Sequence, residues 1–420
     1  MKIIATLFAI GLMAGCNTAL AAEAGDASGS DLSNPFSGVM RFMGPAYTQI
    51  TLSGIPGEDV SSPFNEAHPV EQGIYERLYY RHYHGPFYDV NAPAPQELPS
   101  AFDAKGRPLW FDGPHGATAL QSLVMGFFVR EQFDDLDHLF DDWSNLSDRR
   151  ADGGSKLATF QDAMYYFFST ASDWDSNYQL IRRWREKTPK SRAAALTEAL
   201  YWYRYAWSAR GNGYASSVTT EGWKLFQERL QKAEAMLLES KPYTSSSPLW
   251  GRICIDVGIG LNWSKVRLLE IFRESTKREK YFYKIYTGMV ASLAPRWGGD
   301  WRLVDTFVKD AVKNTQEVDG YSMYARLYWA IQQREDLEFN LFHDSLASWA
   351  DMKRGFEDVI RNYPHSAVDI NTFAAAACIA GDKETFQTLR FRIGKTITPG
   401  AWPSNYSLDV CEHKFGPHPL

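Results

Sequence analysis

The uneven distribution of prolines constrains this chain more than any other feature. Eleven of the 20 prolines fall between residues 35 and 114, and none lies between residues 115 and 188. Proline removes a backbone hydrogen bond and clashes with the preceding turn, so no long helix can form in the first segment. The same segment is rich in aromatic residues, which disordered segments lack. Residues 23–115 are therefore predicted to form an extended, proline- and aromatic-rich arm packed on the body, with a short helix at 70–80 and a turn at 103–106.

From about residue 117 the apolar residues recur every three or four positions, which is the period of an amphipathic helix. Leu136, Leu139 and Phe140 form one such stripe, and Leu200 and Tyr203 belong to another. A helix with an apolar stripe must bury it against a neighbour. About a dozen helices are predicted in this region, with no convincing strand among them.

Two joints in the helical region share one pattern. Residues 184–193 and 359–367 each end a helix, turn at a proline (Pro189 or Pro364) and start another helix on a serine (Ser191 or Ser366). Successive tetratricopeptide-like units are joined in this way, although no strict repeat of about 34 residues is present. The predicted fold class is all-α: a tetratricopeptide-like helical-hairpin array, an α-α superhelix, over residues 116–395. An irregular C-terminal tail is predicted over residues 396–420.

Residues 1–22 have the pattern of a secretory signal peptide. Lys2 precedes an apolar run, Ile3–Met13, that is too short to cross a bilayer core needing about 20 residues. Two processing sites compete. Ala19–Ala21 suits release of a soluble chain, whereas Met13–Cys16 resembles the lipobox of bacterial lipoproteins and would make Cys16 a lipidation site. Either outcome predicts an exported protein, in the periplasm or anchored to the envelope.

The net charge and the lack of long apolar runs narrow the classes of partner that this chain can have. The net charge of −6 argues against nucleic acid, which binds basic surfaces. Beyond residue 22 no apolar run reaches membrane-spanning length, so membrane association is expected only through a lipid anchor at Cys16.

Cys254 and Cys378 lie in apolar helical settings that are typical of buried thiols. Export permits a disulfide from Cys411 to either of them.

Two longer segments carry a resemblance to a known family. Residues 209–226 read ARGNGYASSVTTEGWKLF and residues 293–301 read LAPRWGGDW; Trp174, Trp184 and residues 324–329 agree with them. In these segments the chain resembles the bacterial family called Domain of Unknown Function 4034, over about residues 130–335. The resemblance implies a helical, tetratricopeptide-like domain. Because the family has no established activity, it implies no catalytic residues.

Signatures of catalysis and of cofactor binding are absent from the sequence. It contains no Gly-x-Ser-x-Gly elbow, no His-Glu-x-x-His helix and no Cys-x-x-Cys pair. His82 and His84 could share a metal only if other ligands folded back to them. The aspartates between residues 134 and 142 lack the spacing of a calcium loop. No metal site, cofactor or catalytic residue is therefore predicted.

Residues 295–301 are the most informative segment for binding. Tryptophan and arginine beside a Gly-Gly turn favour a recognition site. The alternative is a packed corner in which Trp297 and Trp301 lie in the core and Asp300 caps the next helix. Arg210 and Arg326 are either charged neighbours of this segment in a groove or charges near helix C-termini. The binding candidates are Arg210, Arg296, Trp297, Trp301 and Arg326.

Paired helices without catalytic motifs predict an exported, non-catalytic scaffold that binds a protein or peptide. The alternative is an α/α-toroid-like enzyme acting on a glycan, since 14 tryptophans offer faces on which sugar rings stack. Such an enzyme needs two carboxylates about 5–9.5 Å apart. Asp300 and Asp305 are the candidates, because they lie near tryptophans in the sequence.

Overall fold

A computed structural model gives the fold of the chain. It describes residues 101–102, 108–110, 116–144, 149–150, 152–169, 173–211, 215–335, 338–394 and 396–416. These residues are mainly helical with very little strand, which confirms the all-α class. The predicted signal peptide with Cys16, the helix at 70–80, the pair His82 and His84 and the turn at 103–106 lie outside the described residues.

Sixteen α-helices lie in the described residues, more than the dozen expected from the sequence. None of these described helices is long and apolar enough to cross a bilayer. The helices are α1 (Gly116–Val129), α2 (Phe133–Trp143), α3 (Lys156–Ser169), α4 (Trp174–Lys187), α5 (Arg192–Arg210), α6 (Thr220–Thr244), α7 (Pro248–Gly260), α8 (Lys265–Arg278), α9 (Tyr283–Leu293), α10 (Trp301–Asp319), α11 (Ser322–Gln332), α12 (Leu341–Asp344), α13 (Trp349–Asn362), α14 (Ala367–Ala380), α15 (Lys383–Ile393) and α16 (Leu408–Phe415).

Three short strands form a small sheet at the start of the described residues. β1 (Ala101–Phe102) pairs antiparallel with β2 (Pro108–Trp110), and β2 pairs in parallel with β3 (Arg149–Arg150). β3 lies in the region for which the sequence predicts no strand, so that prediction is wrong at this point. A two-residue strand is too short to show an alternation of apolar and polar residues.

The two predicted joints have matching geometry. The Ser191 hydroxyl caps α5 by accepting from the backbone N of Ala194 at 2.9 Å, and the Ser366 hydroxyl caps α14 by accepting from the backbone N of Asp369 at 3.2 Å. Each serine satisfies a backbone donor that a helix N-terminus leaves unpaired. The predicted ends and starts of these helices are confirmed.

The sequence also predicts that Thr220 caps the helix after Gly213, and the structure displaces this cap by one residue. The hydroxyl of Thr219, not that of Thr220, accepts from the backbone N of Gly222 at 3.0 Å and begins α6. Both neighbours are threonines and both can cap a helix, so the sequence does not distinguish them.

The helices pack against their neighbours and second neighbours along the chain. α5 packs on α6, α7 on α8 and α9 on α10, while α3, α5, α7, α9 and α11 form a row in which each contacts the next. We call these five helices the central row. α7, α9 and α11 are buried on nearly all sides, which explains why they are apolar around most of their circumference.

The segment after β3 joins early and late parts of the chain. Nη1 of the buried Arg149 donates to the carbonyl oxygens of Gly153 at 2.8 Å and Tyr281 at 3.1 Å. Its guanidinium lies 4.9 Å from the ring centroid of Tyr283, in α9. The chain around β3 therefore packs on the second half of the central row.

The predicted irregular tail over residues 396–420 needs correction, because α16 forms within it. The Ser407 hydroxyl caps α16 through the backbone N of Val410 at 3.3 Å. A disulfide joins Cys411 of α16 to Cys378 of α14, and of the two predicted pairings it is this one that forms, since Cys254 is a free, buried thiol. A bond to another helix holds α16 in place, and the local sequence does not reveal it.

Candidate functional site

Residues 294–300 form a corner between α9 and α10. A 3₁₀ turn at Pro295–Trp297 follows α9, and Asp300 then caps α10 by accepting from the backbone N of Leu303 at 2.8 Å. The helix cap that the sequence predicts at Asp300 is therefore present, but the predicted burial of both tryptophans in the core is not. Trp297 and Trp301 are only half-buried in the corner.

The corner requires both of its glycines. Gly298 has a φ of +74°, a left-handed conformation that glycine adopts without steric cost. A β-carbon on Gly299 would lie 1.8 Å from the carbonyl oxygen of Leu293. No larger residue fits this turn without moving the end of α9.

Arg210 and Trp297 lie against the same small aromatic cluster. Trp297 packs on the cluster formed by Ala206, Trp207, Phe226 and Leu230. The Arg210 guanidinium lies 5.4 Å from the ring centroid of Trp207 and 5.3 Å from that of Trp223. The structure thus brings together two candidates that are far apart in the sequence.

Arg296 and Trp301 connect the corner to the chain that follows α11. Nη1 of Arg296 donates to the carbonyl oxygen of Arg334, and its Nε lies 3.7 Å from a carboxylate oxygen of Glu335. The ring of Trp301 stacks on that of Phe339 with centroids 5.7 Å apart. Both side chains therefore make contacts that stabilise the corner itself.

Arg326 lies in a different place, beside β3. Its Nη2 donates to the carbonyl oxygen of Asp152 at 2.6 Å, and its Nη1 lies 3.8 Å from Oδ1 of Asp369. Its guanidinium lies over the rings of Tyr283 and Tyr363. Arg326 therefore joins α11 to the segment after β3 and to α14, and not to the corner.

The two carboxylates of the glycan alternative both have structural partners. Asp300 is the cap of α10 described above. Asp305 accepts from the Tyr328 hydroxyl at 3.0 Å and pairs with Nζ of Lys309 at 2.7 Å. A catalytic pair would have to leave these contacts to act on a substrate.

A second group of polar side chains lies along the central row. These side chains contact one another through a chain of hydrogen bonds, ion pairs and close charge interactions, and we call them the polar centre. The polar centre consists of Gln161, Asp162 and Tyr165 of α3, Tyr203 and Arg204 of α5, Arg252 and Asp256 of α7, Lys284 and Thr287 of α9, and Arg334 after α11.

Two ion pairs hold the middle of the polar centre. Lys284 is paired with Asp162, and Nε of Arg252 lies 2.9 Å from Oδ2 of Asp256. Nη1 of Arg252 also donates to Oγ1 of Thr287 at 3.1 Å. Burial lowers the pKa of Lys284, while the charge of Asp162 opposes that shift.

The arginines at the two ends of the polar centre have no carboxylate within ion-pair distance in the part of the chain that the structure describes. Nη1 of Arg204 donates to the Tyr165 hydroxyl at 2.9 Å, and its guanidinium lies 4.2 Å from that ring. Nη1 of Arg334 donates to the carbonyl oxygen of Thr287 at 2.7 Å. Both side chains are half-buried.

Two polar atoms of the centre are buried without a hydrogen-bond partner among the described residues. They are Oε1 of Gln161 and Nε of Arg204. Gln161 is only 3% exposed, and its amide nitrogen contacts Asp256 at 3.4 Å. Native structures leave few such atoms unsatisfied, although others occur elsewhere in the described residues, such as Oγ1 of Thr197 and Oδ2 of Asp319.

One part of the chain, which contributes to the polar centre, matches a known protein family. Residues 121–243 match the family described as Domain of unknown function (DUF4034). The match confirms the resemblance for this part of the chain. The quoted segment 209–226 lies inside the matched residues, whereas residues 293–301 lie beyond them. No curated protein matches the chain.

The residues that match DUF4034, 121–243, are called the DUF4034 segment here, and they supply half of the polar centre. Gln161, Asp162, Tyr165, Tyr203 and Arg204 lie within it, and the other five residues follow it in the sequence. The centre therefore forms only when the DUF4034 segment packs against α7, α9 and the chain after α11.

The polar centre offers cations, aromatic hydroxyls and amides, which suit binding. Its carboxylates are engaged in ion pairs. In the described residues no group of three His, Cys, Asp or Glu side chains is placed to hold a metal ion. Arginine and tyrosine are enriched where proteins bind their partners most strongly.

The polar centre was not predicted from the sequence, although one signal indicates it. Arg252 and Asp256 lie four residues apart in a helix that is otherwise apolar, and Lys284 lies in another. A charge in a helix that is buried all round must have a partner or a function. Such buried charges, unlike the half-buried tryptophans of the corner, are the sequence signal for the polar centre.

Proposed function

We propose that this chain is a non-catalytic scaffold that binds a peptide or protein at the polar centre. The single observation behind this proposal is that four helices of the central row, α3, α5, α7 and α9, and the chain after α11 contribute polar side chains to one network. A partner that lies across the row would contact several helices at once, which is how helical arrays offer extended binding surfaces.

We propose further that the helices form a tetratricopeptide-like array. The support is the packing of α5 on α6, α7 on α8 and α9 on α10, combined with contacts between second neighbours along the central row. In stacked helical hairpins each unit contacts only its neighbours, and one helix of every unit lines the same surface. The central row would line that surface, and the half-buried side chains of the polar centre would be its accessible part.

We also propose that the protein is exported from the cytoplasm. The apolar segment after Lys2 supports a signal peptide, and the mature chain would be released after Ala21 or anchored through a lipid on Cys16. Mass spectrometry of the protein purified from cells tests this: a mature chain beginning near Ala22 or at a lipidated Cys16 supports export, and an intact Met1 opposes it.

The binding proposal is tested with peptides selected by display of a random library on the purified protein. The selected peptides are then titrated against Lys284→Gln, which removes a cation from the polar centre, and against Glu228→Gln, which changes an exposed carboxylate of α6. We expect affinity to fall at least about tenfold, or about 1.4 kcal/mol, for Lys284→Gln and to be unchanged for Glu228→Gln. A failure to select any peptide, or equal binding to both variants, would contradict the proposal.

A further inference from the structure

A groove lies between α8 and α10, two helices outside the central row that both pack on α9. We call it the outer groove. Its volume is about 570 Å³, and its lining includes the buried aromatic rings of Phe272, Tyr286 and Phe307. The centroid of the Phe272 ring lies 5.0 Å from that of Tyr286 and 5.1 Å from that of Phe307. The floor of the groove is therefore apolar and held in place by packing.

The rim of the outer groove is positively charged. Arg273 and Lys277 lie one turn apart on α8, and Lys313 lies on α10; all three side chains are exposed. None of them has a carboxylate within ion-pair distance in the part of the chain that the structure describes. Asp310 is the one carboxylate among the described residues that line the groove. On a chain with a net charge of −6, this basic rim favours an acidic occupant.

The predicted N-terminal arm contains a stretch with the matching chemistry. Residues 58–76 read EDVSSPFNEAHPVEQGIYE, with five carboxylates, no Lys or Arg, and the aromatic residues Phe64 and Tyr75. These residues lie outside the described part of the chain. Their negative charge complements the rim of the outer groove, and their aromatic side chains suit its floor.

The chain that follows the arm passes close to one end of the outer groove. β1 begins at Ala101 and is joined through β2 to β3. Arg149 of β3 donates to the carbonyl oxygen of Tyr281 at 3.1 Å, and Tyr281 directly follows Lys280, which lines the groove. Residues 77–100 connect the acidic stretch to β1 and can span up to about 80 Å when extended. The acidic stretch is therefore within reach of the groove.

We propose that residues 58–76 of the same chain bind in the outer groove, with their carboxylates beside Arg273, Lys277 and Lys313 and an aromatic side chain on the apolar floor. Exposed ion pairs typically contribute less than about 1 kcal/mol each, which is little for capturing a separate acidic protein. A tethered segment meets its site at an effective concentration of about 1 mM, which favours the chain's own arm. This inference goes beyond the peptide site at the polar centre and does not depend on it.

Photocrosslinking in the purified protein tests the proposal. The photoreactive amino acid p-benzoylphenylalanine replaces Phe64 in one variant and Tyr75 in another, and mass spectrometry maps the crosslinked residues. Mixing protein labelled with ¹⁵N and unlabelled protein distinguishes crosslinks within a chain from crosslinks between two copies. We expect crosslinks to α8, α9 or α10 within the same chain from at least one of the two positions.

Reversing the charge of the rim provides the second measurement. Lys277→Glu combined with Lys313→Glu should lower the yield of these crosslinks at least tenfold. Lys224→Glu combined with Lys383→Glu is the matched control, because it changes the net charge equally at two exposed lysines of other helices, and it should leave the yield unchanged.

A charge swap separates a lost contact from a lost fold. Glu66→Lys combined with Glu71→Lys, added to the variant with the reversed rim, should restore most of the crosslinks, which requires a folded groove. Crosslinks to other parts of the body, crosslinks between copies, no crosslinks, or a yield that the reversed rim does not change would each overturn the proposal. Crosslinks between copies would assign the groove to the arm of a second copy.

Discussion

Gly153 lies directly against the aromatic ring of Tyr363. A β-carbon at position 153 would lie 2.2 Å from Cζ of that ring, and the backbone of Gly153 has a φ of +75°. The Tyr363 hydroxyl is held by Oδ1 of Asp319 at 3.2 Å, so the ring cannot easily move away. One glycine thus sets how closely the segment after β3 approaches the end of α13.

Replacing this glycine should cost more than replacing an unhindered one. We expect Gly153→Ala to lower the free energy of unfolding by about 2–4 kcal/mol, because left-handed strain and overpacking add. Gly381 is the control: its φ is +80°, and a β-carbon there meets nothing within 4 Å, so Gly381→Ala should cost only about 1 kcal/mol. Denaturant unfolding measured by tryptophan fluorescence checks both, and equal losses would contradict the close contact.

The buried carboxyl group of Asp369 should make stability depend on pH. Burial raises the pKa of Asp369 to about 6, although the charge of Arg326 opposes that shift; an unfolded carboxyl titrates near about 3.9. Because the folded state keeps this proton to higher pH, the contribution of Asp369 to stability is fully present below about pH 4 and is lost as the pH rises through about 6.

Asp369→Asn stays neutral and provides the comparison. Between pH 4 and 7 the wild type should lose about 2 kcal/mol relative to Asp369→Asn, which is most of the effect of a shift of about two pKa units. Asp382→Asn is the control. Burial raises the pKa of Asp382, but hydrogen bonds from Thr385, Lys353 and Trp349 outweigh burial and lower this pKa to about 2. The contribution of Asp382 to stability is therefore lost only in more acid solution. An Asp369→Asn difference that does not change with pH would show that this carboxyl stays ionised.

Local features of the sequence were sufficient to predict much of the fold. Apolar periodicity predicted the helices, and Ser191 and Ser366 were recognised as the starts of α5 and α14 because capping involves only adjacent residues. α16 and β3 were missed because distant partners hold them. α16 depends on the disulfide to Cys378, and β3 depends on pairing with β2.

The site was predicted less well for the same reason. Asp300 was recognised as a cap because its partner lies three residues away. The partners of Arg204 and Lys284 come from other helices, Tyr165 and Asp162 of α3, and no local spacing brings these residues together. Only the packing of the central row does so.

The disulfide between Cys378 and Cys411 should stabilise the C-terminal end of the described chain. It closes a loop of 33 residues, for which the loss of unfolded-state entropy corresponds to about 3–4 kcal/mol. We expect reductant to lower the denaturant midpoint of the wild type. The double variant with Cys378→Ala and Cys411→Ala should unfold at this lower denaturant midpoint, and reductant should not change its midpoint. A response in the double variant would mean that another thiol is involved.

Gly288 allows the Arg252 side chain to lie across α9. A β-carbon at position 288 would lie 2.9 Å from Nε and 3.1 Å from Cδ of Arg252. Gly288→Ala should therefore push the guanidinium away from Asp256 and Thr287, to which it is bonded. Because it disturbs a buried ion pair, we expect this substitution to cost about 1–3 kcal/mol of unfolding free energy.

The effect of Gly288→Ala on the free energy of unfolding should change from destabilising to stabilising when Arg252 is absent. In the Arg252→Ala background the obstacle is gone, and alanine is a better helix former than glycine by about 1 kcal/mol, so Gly288→Ala should then stabilise the fold slightly. A double-mutant cycle measured by denaturant unfolding gives the coupling directly, and we expect about 2–4 kcal/mol. If Gly288→Ala costs the same with and without Arg252, the glycine is needed for some other contact. A large coupling would place Arg252 across α9 in solution, bonded to Asp256 and Thr287.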